Sequence, residues 1–136
     1  MSKIITVLGS TGSIGEQALD VARKNGYKIK ALAAGKSIDK LEQQAREFMP
    51  DIIAVFDEDA AKELKNRLCD TAINVLSGSE GVCFAAEQKV DIVLNAIVGI
   101  AGLRPTFAAM NAKNDIALAN KETLVTAGEL VNKRAA

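Results

Sequence analysis

The chain is 136 residues long and 49% hydrophobic, enough for one ordinary domain with a buried core, and its 17 Lys and Arg balance 17 Asp and Glu. Zero net charge leaves no overall basic field for nucleic acid, though a local basic site stays open, and no apolar run nears the roughly 20 residues of a membrane helix. Histidine is absent, which excludes a Ser-His-Asp triad, a His-ligated zinc and a His general base from this chain and leaves acid–base work to Lys, Glu, Asp or Tyr27.

Short β-branched runs alternate with longer stretches of helical period. Lys3–Leu8 is predicted as the first strand. Ile14–Lys24 follows as a helix with Ile14, Ala18, Val21 and Ala22 at core spacing. Lys28–Ala34 is a second strand, and Ile38, Leu41, Ala45 and Phe48 mark a helix that must end before Pro50. Ile52–Phe56 is a strand, Asp57–Leu68 a charged helix, Ala72–Leu76 a short strand and Ser79–Gln88 a helix. Asp91–Ala96 is a buried strand. A helix from about Arg104 to Lys113, with Pro105 in its first turn, then leads to a strand at Ile116–Leu118 and a helix at Lys121–Val131. The alternation predicts an α/β fold: a doubly wound, mostly parallel sheet with helices on both faces.

No repeat, low-complexity tract or linker interrupts the pattern, so residues 1–136 are expected to be one domain. The chain ends directly after a helix, which suggests a piece of a longer protein. Cys69 and Cys83 match no metal spacing and are expected to be reduced thiols. With no signal-peptide pattern at the start, a cytoplasmic location is expected.

Gly9-Ser-Thr-Gly12-Ser-Ile-Gly15 lies between the first strand and the first helix, the context of a Rossmann-type dinucleotide loop. Gly9 permits the turn out of the strand, Gly12 lets a phosphate approach the backbone, and Gly15 lets the helix pack close. The N–H groups and positive dipole end at the helix start favour an anion, and Thr11 and Ser13 add hydroxyl donors. The plain alternative is a turn and a helix cap. An NAD-preferring domain carries an acid about 20 residues further on. Here that place reads Ala34-Gly35-Lys36-Ser37. A cation and a hydroxyl at a helix start suit a 2′-phosphate, so NADPH is expected in preference to NADH.

Two later loops also leave the carboxyl ends of strands, where open α/β sheets bind ligands. Ile97-Val-Gly99-Ile-Ala-Gly102 suits the approach of a ribose or nicotinamide, and equally a plain turn. In Asn120-Lys121-Glu122, Asn120 and Glu122 fit as cap and first-turn acid. Lys121 opposes the helix dipole and suggests an anionic ligand.

These motifs, in this order and with Ala96-Ile-Val-Gly99 and Ala119-Asn-Lys-Glu122-Thr-Leu-Val125, resemble the N-terminal domain of the 1-deoxy-D-xylulose 5-phosphate reductoisomerase family over essentially the whole chain. The resemblance implies NADPH as cofactor, a divalent metal (Mg²⁺, Mn²⁺ or Co²⁺) in the full-length enzyme, a sugar-phosphate substrate and a homodimer. It implies no nucleic-acid or membrane partner. The reaction implied is rearrangement and reduction of deoxyxylulose phosphate to 2-C-methyl-D-erythritol 4-phosphate. By position, Thr11, Gly12, Ser13 and Ile14 would bind the pyrophosphate side. Gly35, Lys36 and Ser37 would hold the adenosine end, Asn120 and Glu122 would contact the reactive half, and Lys121 the substrate. The family often has Asn where Ser37 stands. Its Asp-Ser-Glu metal motif does not occur in this chain. No catalytic residue and no metal ligand is therefore expected here, and the chain alone is expected not to turn over deoxyxylulose phosphate. Two rival readings are a stand-alone NADP sensor and a different Rossmann oxidoreductase; no Tyr-x-x-x-Lys pair supports the second.

Overall fold

A computed structural model describes residues 3–97, 105, 108 and 115–118. The elements are β1 (Ile4–Leu8), α1 (Ser13–Asn25), β2 (Lys28–Ala34), α2 (Ile38–Phe48), β3 (Ile52–Val55), α3 (Glu58–Arg67), β4 (Asn74–Ser77), α4 (Gly78–Ala86), β5 (Ile92–Asn95) and β6 (Asp115–Leu118). Pro105 and Ala108 are helical, inside the helix predicted around Arg104 to Lys113. The predicted helix Lys121–Val131 lies outside the described residues. Element types agree with the pattern, and the ends move by one or two residues, as capping and fraying dictate.

Every strand pair is parallel, in the order β4-β3-β2-β1-β5-β6. From β1 the chain steps outward to β4, then returns through α4 to β5 on the far side of β1. Right-handed crossovers place helices of opposite travel on opposite faces. Accordingly, α1, α2 and α3 cover one face with Leu19, Ala22, Leu41, Ala45, Ala61 and Leu64 on Ile5, Val7, Ile29, Leu32, Ile53 and Val55. On the other face α4 and Ala108 cover Leu8, Ala31, Ala33, Ala54 and Val93. Between β1 and β2 the register skips Lys30, so Ile5 opposes Ile29 and Thr6 opposes Ala31. Such an irregularity leaves one residue unpaired in the ladder. The freed side chain, Lys30, pairs with Asp51 at 2.8 Å.

The apolar face predicted for α1 is only partly the one that packs. Ala22 is buried, but Ile14 and Val21 are 45% and 51% exposed, and Gly15 and Leu19 take the inward places. A glycine is silent in a hydrophobic pattern. Here it permits the closest approach in the helix and so sets its rotation.

The helices are tied together by surface ion pairs. Arg23 of α1 holds Glu47 of α2, and Arg46 of α2 holds Asp70 beyond α3 at 3.1 Å. Hydrogen bonds from Arg23, Lys30 and Arg46 keep the Glu47, Asp51 and Asp70 carboxyls below their ordinary range. A carboxylate with a depressed folded-state pKa contributes stability that is present above the unfolded value, about pH 4, and lost as pH falls through the folded value. The melting temperature is therefore expected to fall as pH drops from about 5 to about 3. In the triple variant Glu47→Gln, Asp51→Asn, Asp70→Asn that acid limb flattens, as thermal melts across the range would show.

Candidate functional site

Leu8 ends β1 opposite Ala33 of β2 on one side and Asn95 of β5 on the other. The loops after these three strands therefore leave the sheet at one level, where the strand order reverses and α/β sheets bind ligands.

The glycine loop is anchored from below. The Gly9 and Ser10 N–H groups both donate to the Ala33 carbonyl, at 2.8 and 3.0 Å, and Ala96 N–H donates to the Leu8 carbonyl at 2.8 Å. Ser10 is fully buried. Gly9 has φ +81°, and a Cβ there would stand 2.9 Å from the Ala96 carbonyl group. At Gly15 a Cβ would lie 2.1 Å from the Gly9 carbonyl oxygen and 2.7 Å from the Ser10 Cα. Both glycines are thus demanded by the fold, and Gly15 packs α1 on the loop itself. Gly12 differs. Its φ is −82°, and among the described residues a Cβ would meet only the Gly9 carbonyl oxygen, at an ordinary 3.6 Å. Nothing among the described residues requires a glycine there.

Gly35 repeats this on the neighbouring strand: it is exposed, and a Cβ would meet nothing within 4 Å. Two adjacent loops at the strand ends thus carry glycines that leave room on the solvent side only.

The helix starts differ in kind. Asp57 caps α3 by accepting from the Ala60 N–H at 3.1 Å, which places a carboxylate where an anion would otherwise bind. Gly12 caps α1 without a side chain, and Ser37, at the N-cap of α2, makes no side-chain capping bond. In α2 the Ile38 N–H donates to the Lys36 carbonyl at 2.9 Å; the other first-turn N–H groups of both helices lack an intrahelical acceptor, and the dipoles point positive ends at the crevice. Ser77 also leaves α4 uncapped, but beside edge strand β4, away from β1. The first-turn acids of α1 and α2 are occupied: Lys40 pairs with Glu16 at 3.1 Å, and Arg67 with Asp39 at 2.6 Å. Lys36 and Ser37 are exposed beside them, with no ion pair to Lys36 among the described residues.

Of the other predicted residues, Thr11 is half-buried, and Ser13 and Ile14 are exposed on the first turn of α1. The structure thus brings Thr11, Gly12, Ser13, Ile14, Gly35, Lys36 and Ser37 to one edge. Gly99, Gly102, Asn120, Lys121 and Glu122 lie outside the described residues. Two supporting residues went unnoticed in the pattern. Asn95 is buried at the end of β5, where its Oδ1 accepts from the Ile97 N–H at 3.1 Å and turns the chain. Gln44 of α2 donates from Nε2 to the Ser10 carbonyl at 2.9 Å. An Asn two residues before a turn is a recognisable signal; a Gln reaching across 34 positions has none in sequence.

Among the described residues no cluster of Cys, Asp and Glu could hold a metal ion. None of the carboxylates with a lowered pKa belongs to these loops. The arrangement places two helix starts without side-chain caps, those of α1 and α2, at the carboxyl ends of β1 and β2.

The family model of 1-deoxy-D-xylulose 5-phosphate reductoisomerase matches residues 5–128. The enzyme of that name from Ruminiclostridium cellulolyticum is 51% identical over 132 residues, and that from Desulfitobacterium hafniense 53% identical, covering 96% and 95% of this chain. The chain spans only 35% of either relative. Among solved structures, the Zymomonas mobilis enzyme in complex with NADPH superposes with a TM-score of 0.92 at 34% identity, over 99% of this chain and 36% of that one. A DOX-P reductoisomerase in complex with NADPH, fosmidomycin and magnesium superposes with a TM-score of 0.89 at 43% identity, over 98% and 34%.

Proposed function

From the premise that the chain belongs to the 1-deoxy-D-xylulose 5-phosphate reductoisomerase family, we propose that residues 1–136 form one domain that holds NADPH for that enzyme, with the cofactor across the ends of β1 and β2. The observation that carries this is the pair Gly12 and Gly35, two glycines that packing among the described residues does not need, each beside a helix start without a side-chain cap.

Thr11, Gly12, Ser13 and Ile14 hold the pyrophosphate by backbone N–H groups and hydroxyls. Gly35, Lys36 and Ser37 hold the adenosine end, Lys36 as a point charge and Ser37 as a donor to the 2′-phosphate. Ser37 reaches less far than the Asn often found there. Asn120 and Glu122 contact the cofactor near its reactive half, and Lys121 the sugar phosphate. When bound, NADPH supplies the hydride for the reduction. The chain's own residues fix its position against the substrate, a contribution of orientation.

For the whole protein we propose the family reaction: rearrangement and reduction of deoxyxylulose phosphate to 2-C-methyl-D-erythritol 4-phosphate. A divalent metal is held by residues other than those described, and the enzyme is a cytoplasmic homodimer. In keeping with this, a solved relative contains magnesium, and no helix among the described residues is long and apolar enough to cross a membrane.

The test is a fluorescence titration with NADPH and NADH side by side. NADPH is expected to bind more tightly, and Lys36→Ala to weaken NADPH about tenfold, the size of one charge-assisted contact, while leaving NADH unchanged. Equal affinity for both cofactors in the unaltered chain would remove the role given to Lys36.

A further inference from the structure

An anion-binding loop must do two things: present N–H groups and turn carbonyl oxygens away. In residues 9–12 three of the four carbonyls, those of Gly9, Ser10 and Gly12, are engaged within the protein. The Gly9 carbonyl accepts from the Gly12 N–H at 3.2 Å, and the Gly12 carbonyl from the Glu16 N–H at 2.8 Å. The Ser10 carbonyl has no backbone donor among the described residues. It is taken up instead by the Nε2 of Gln44, at 2.9 Å, from the second turn of α2.

This contact has a geometric consequence. The peptide joining Ser10 to Thr11 is trans, as all described peptides are. Its carbonyl and its N–H therefore point in opposite directions. With the carbonyl held toward α2, the Thr11 N–H is presented on the opposite side, and no hydrogen bond to another described residue engages it. The Ser10 N–H is already fixed on the Ala33 carbonyl, so the residue is pinned at both ends. The Oε1 of Gln44 is buried with no donor among the described residues. Gln44 also belongs to the helix that begins at Ile38, directly after Lys36 and Ser37. One rigid element thus connects the two anion sites.

We propose that Gln44 is a positioning residue for the cofactor loop: it holds the Ser10 carbonyl away from the pyrophosphate, aims the Thr11 N–H at it, and sets the spacing between the pyrophosphate and 2′-phosphate sites. This rests on the NADPH reading above. Two variants separate the role from simple packing. Gln44→Met keeps the length and volume of the side chain without a donor. Gln44→Glu keeps its shape but turns a carboxylate toward the carbonyl.

Both variants and the unaltered chain are titrated with NADPH and with 2′-AMP, which carries the 2′-phosphate but no pyrophosphate. The Thr11 amide resonance, which reports the bond to its own peptide carbonyl, is followed in the free protein. Gln44→Met is expected to weaken NADPH about tenfold, to leave 2′-AMP unchanged and to shift the Thr11 amide resonance; Gln44→Glu is expected to weaken NADPH further. Unchanged NADPH affinity and an unshifted Thr11 resonance in Gln44→Met would overturn the positioning role and leave the NADPH reading standing. Equal loss for NADPH and 2′-AMP would also overturn it, as the mark of a general packing defect. An unaltered chain that binds neither ligand would overturn both readings.

Discussion

Gly12→Val is expected to lower NADPH affinity by about 100-fold while leaving the protein folded. On the protein side the substitution is nearly free of contact, because the first atom added would meet only the Gly9 carbonyl oxygen at 3.6 Å, and φ of −82° suits any residue. The branched side chain must then occupy the solvent side, where the pyrophosphate is proposed to approach the backbone. Overpacking of that kind costs roughly 1–3 kcal/mol when both sides are fixed, and a rigid loop against a rigid phosphate stands at the upper end. Losing glycine at an N-cap costs about 1 kcal/mol or less, so the melting temperature should fall by about 4 °C at most. Isothermal titration and thermal melts on the same sample decide the matter. A Gly12→Val chain with unaltered NADPH affinity would place the pyrophosphate elsewhere.

Gly15→Ala is expected to have the opposite signature, a damaged fold. Its methyl group would lie 2.1 Å from the Gly9 carbonyl oxygen and 2.7 Å from the Ser10 Cα. Both are backbone atoms, and Ser10 is fully buried. Neither can rotate aside, so α1 must move away from the sheet, uncovering the contacts of Leu19 and Ala22 with the core. A cost of about 3 kcal/mol follows from forced overpacking, which in a chain of this size lowers the melting temperature by roughly 10 °C. Cofactor binding falls too, as a consequence of the displaced loop. Comparison with Gly12→Val separates the two roles: one variant melts normally and does not bind, the other melts early. A Gly15→Ala chain that melts like the unaltered one would show that α1 does not pack this closely.

The contrast bears on how the loop is recognised. Three glycines at a spacing of three look alike in the sequence, and only their surroundings tell them apart. Two serve the approach of backbone to backbone, and one leaves space that no described residue fills. The same distinction separates Gly35 from Gly26, whose φ of +70° ends α1 and needs no ligand to explain it. Lys36 gains meaning in the same way. On its own it is a surface lysine; beside a helix start without a side-chain cap whose first-turn acid is engaged by Arg67, it is an exposed cation with no carboxylate partner among the described residues.

Much of this protein was legible from local chemistry alone. Strands and helices follow from side-chain periods of two and 3.6, and Pro50 and Gly26 mark the ends of α2 and α1 as φ restrictions dictate. The parallel sheet follows because each strand is separated from the next by a helix, leaving no route for a hairpin. The glycine loop after β1 and its neighbour at Gly35-Lys36-Ser37 were legible as turns that lead into helices, because the demands of such turns on the residue type are fixed by covalent geometry. Only the tertiary structure decided the rest. It set the rotation of α1, turning Ile14 and Val21 outward, because that depends on which residue allows the closest approach and not on which is most apolar. It distinguished Gly12 from Gly15, because a Cβ meets a wall only once the neighbouring backbone is in place. And it brought Gln44 to the Ser10 carbonyl, a contact that exists only because β2 lies beside β1 and carries α2 over the loop.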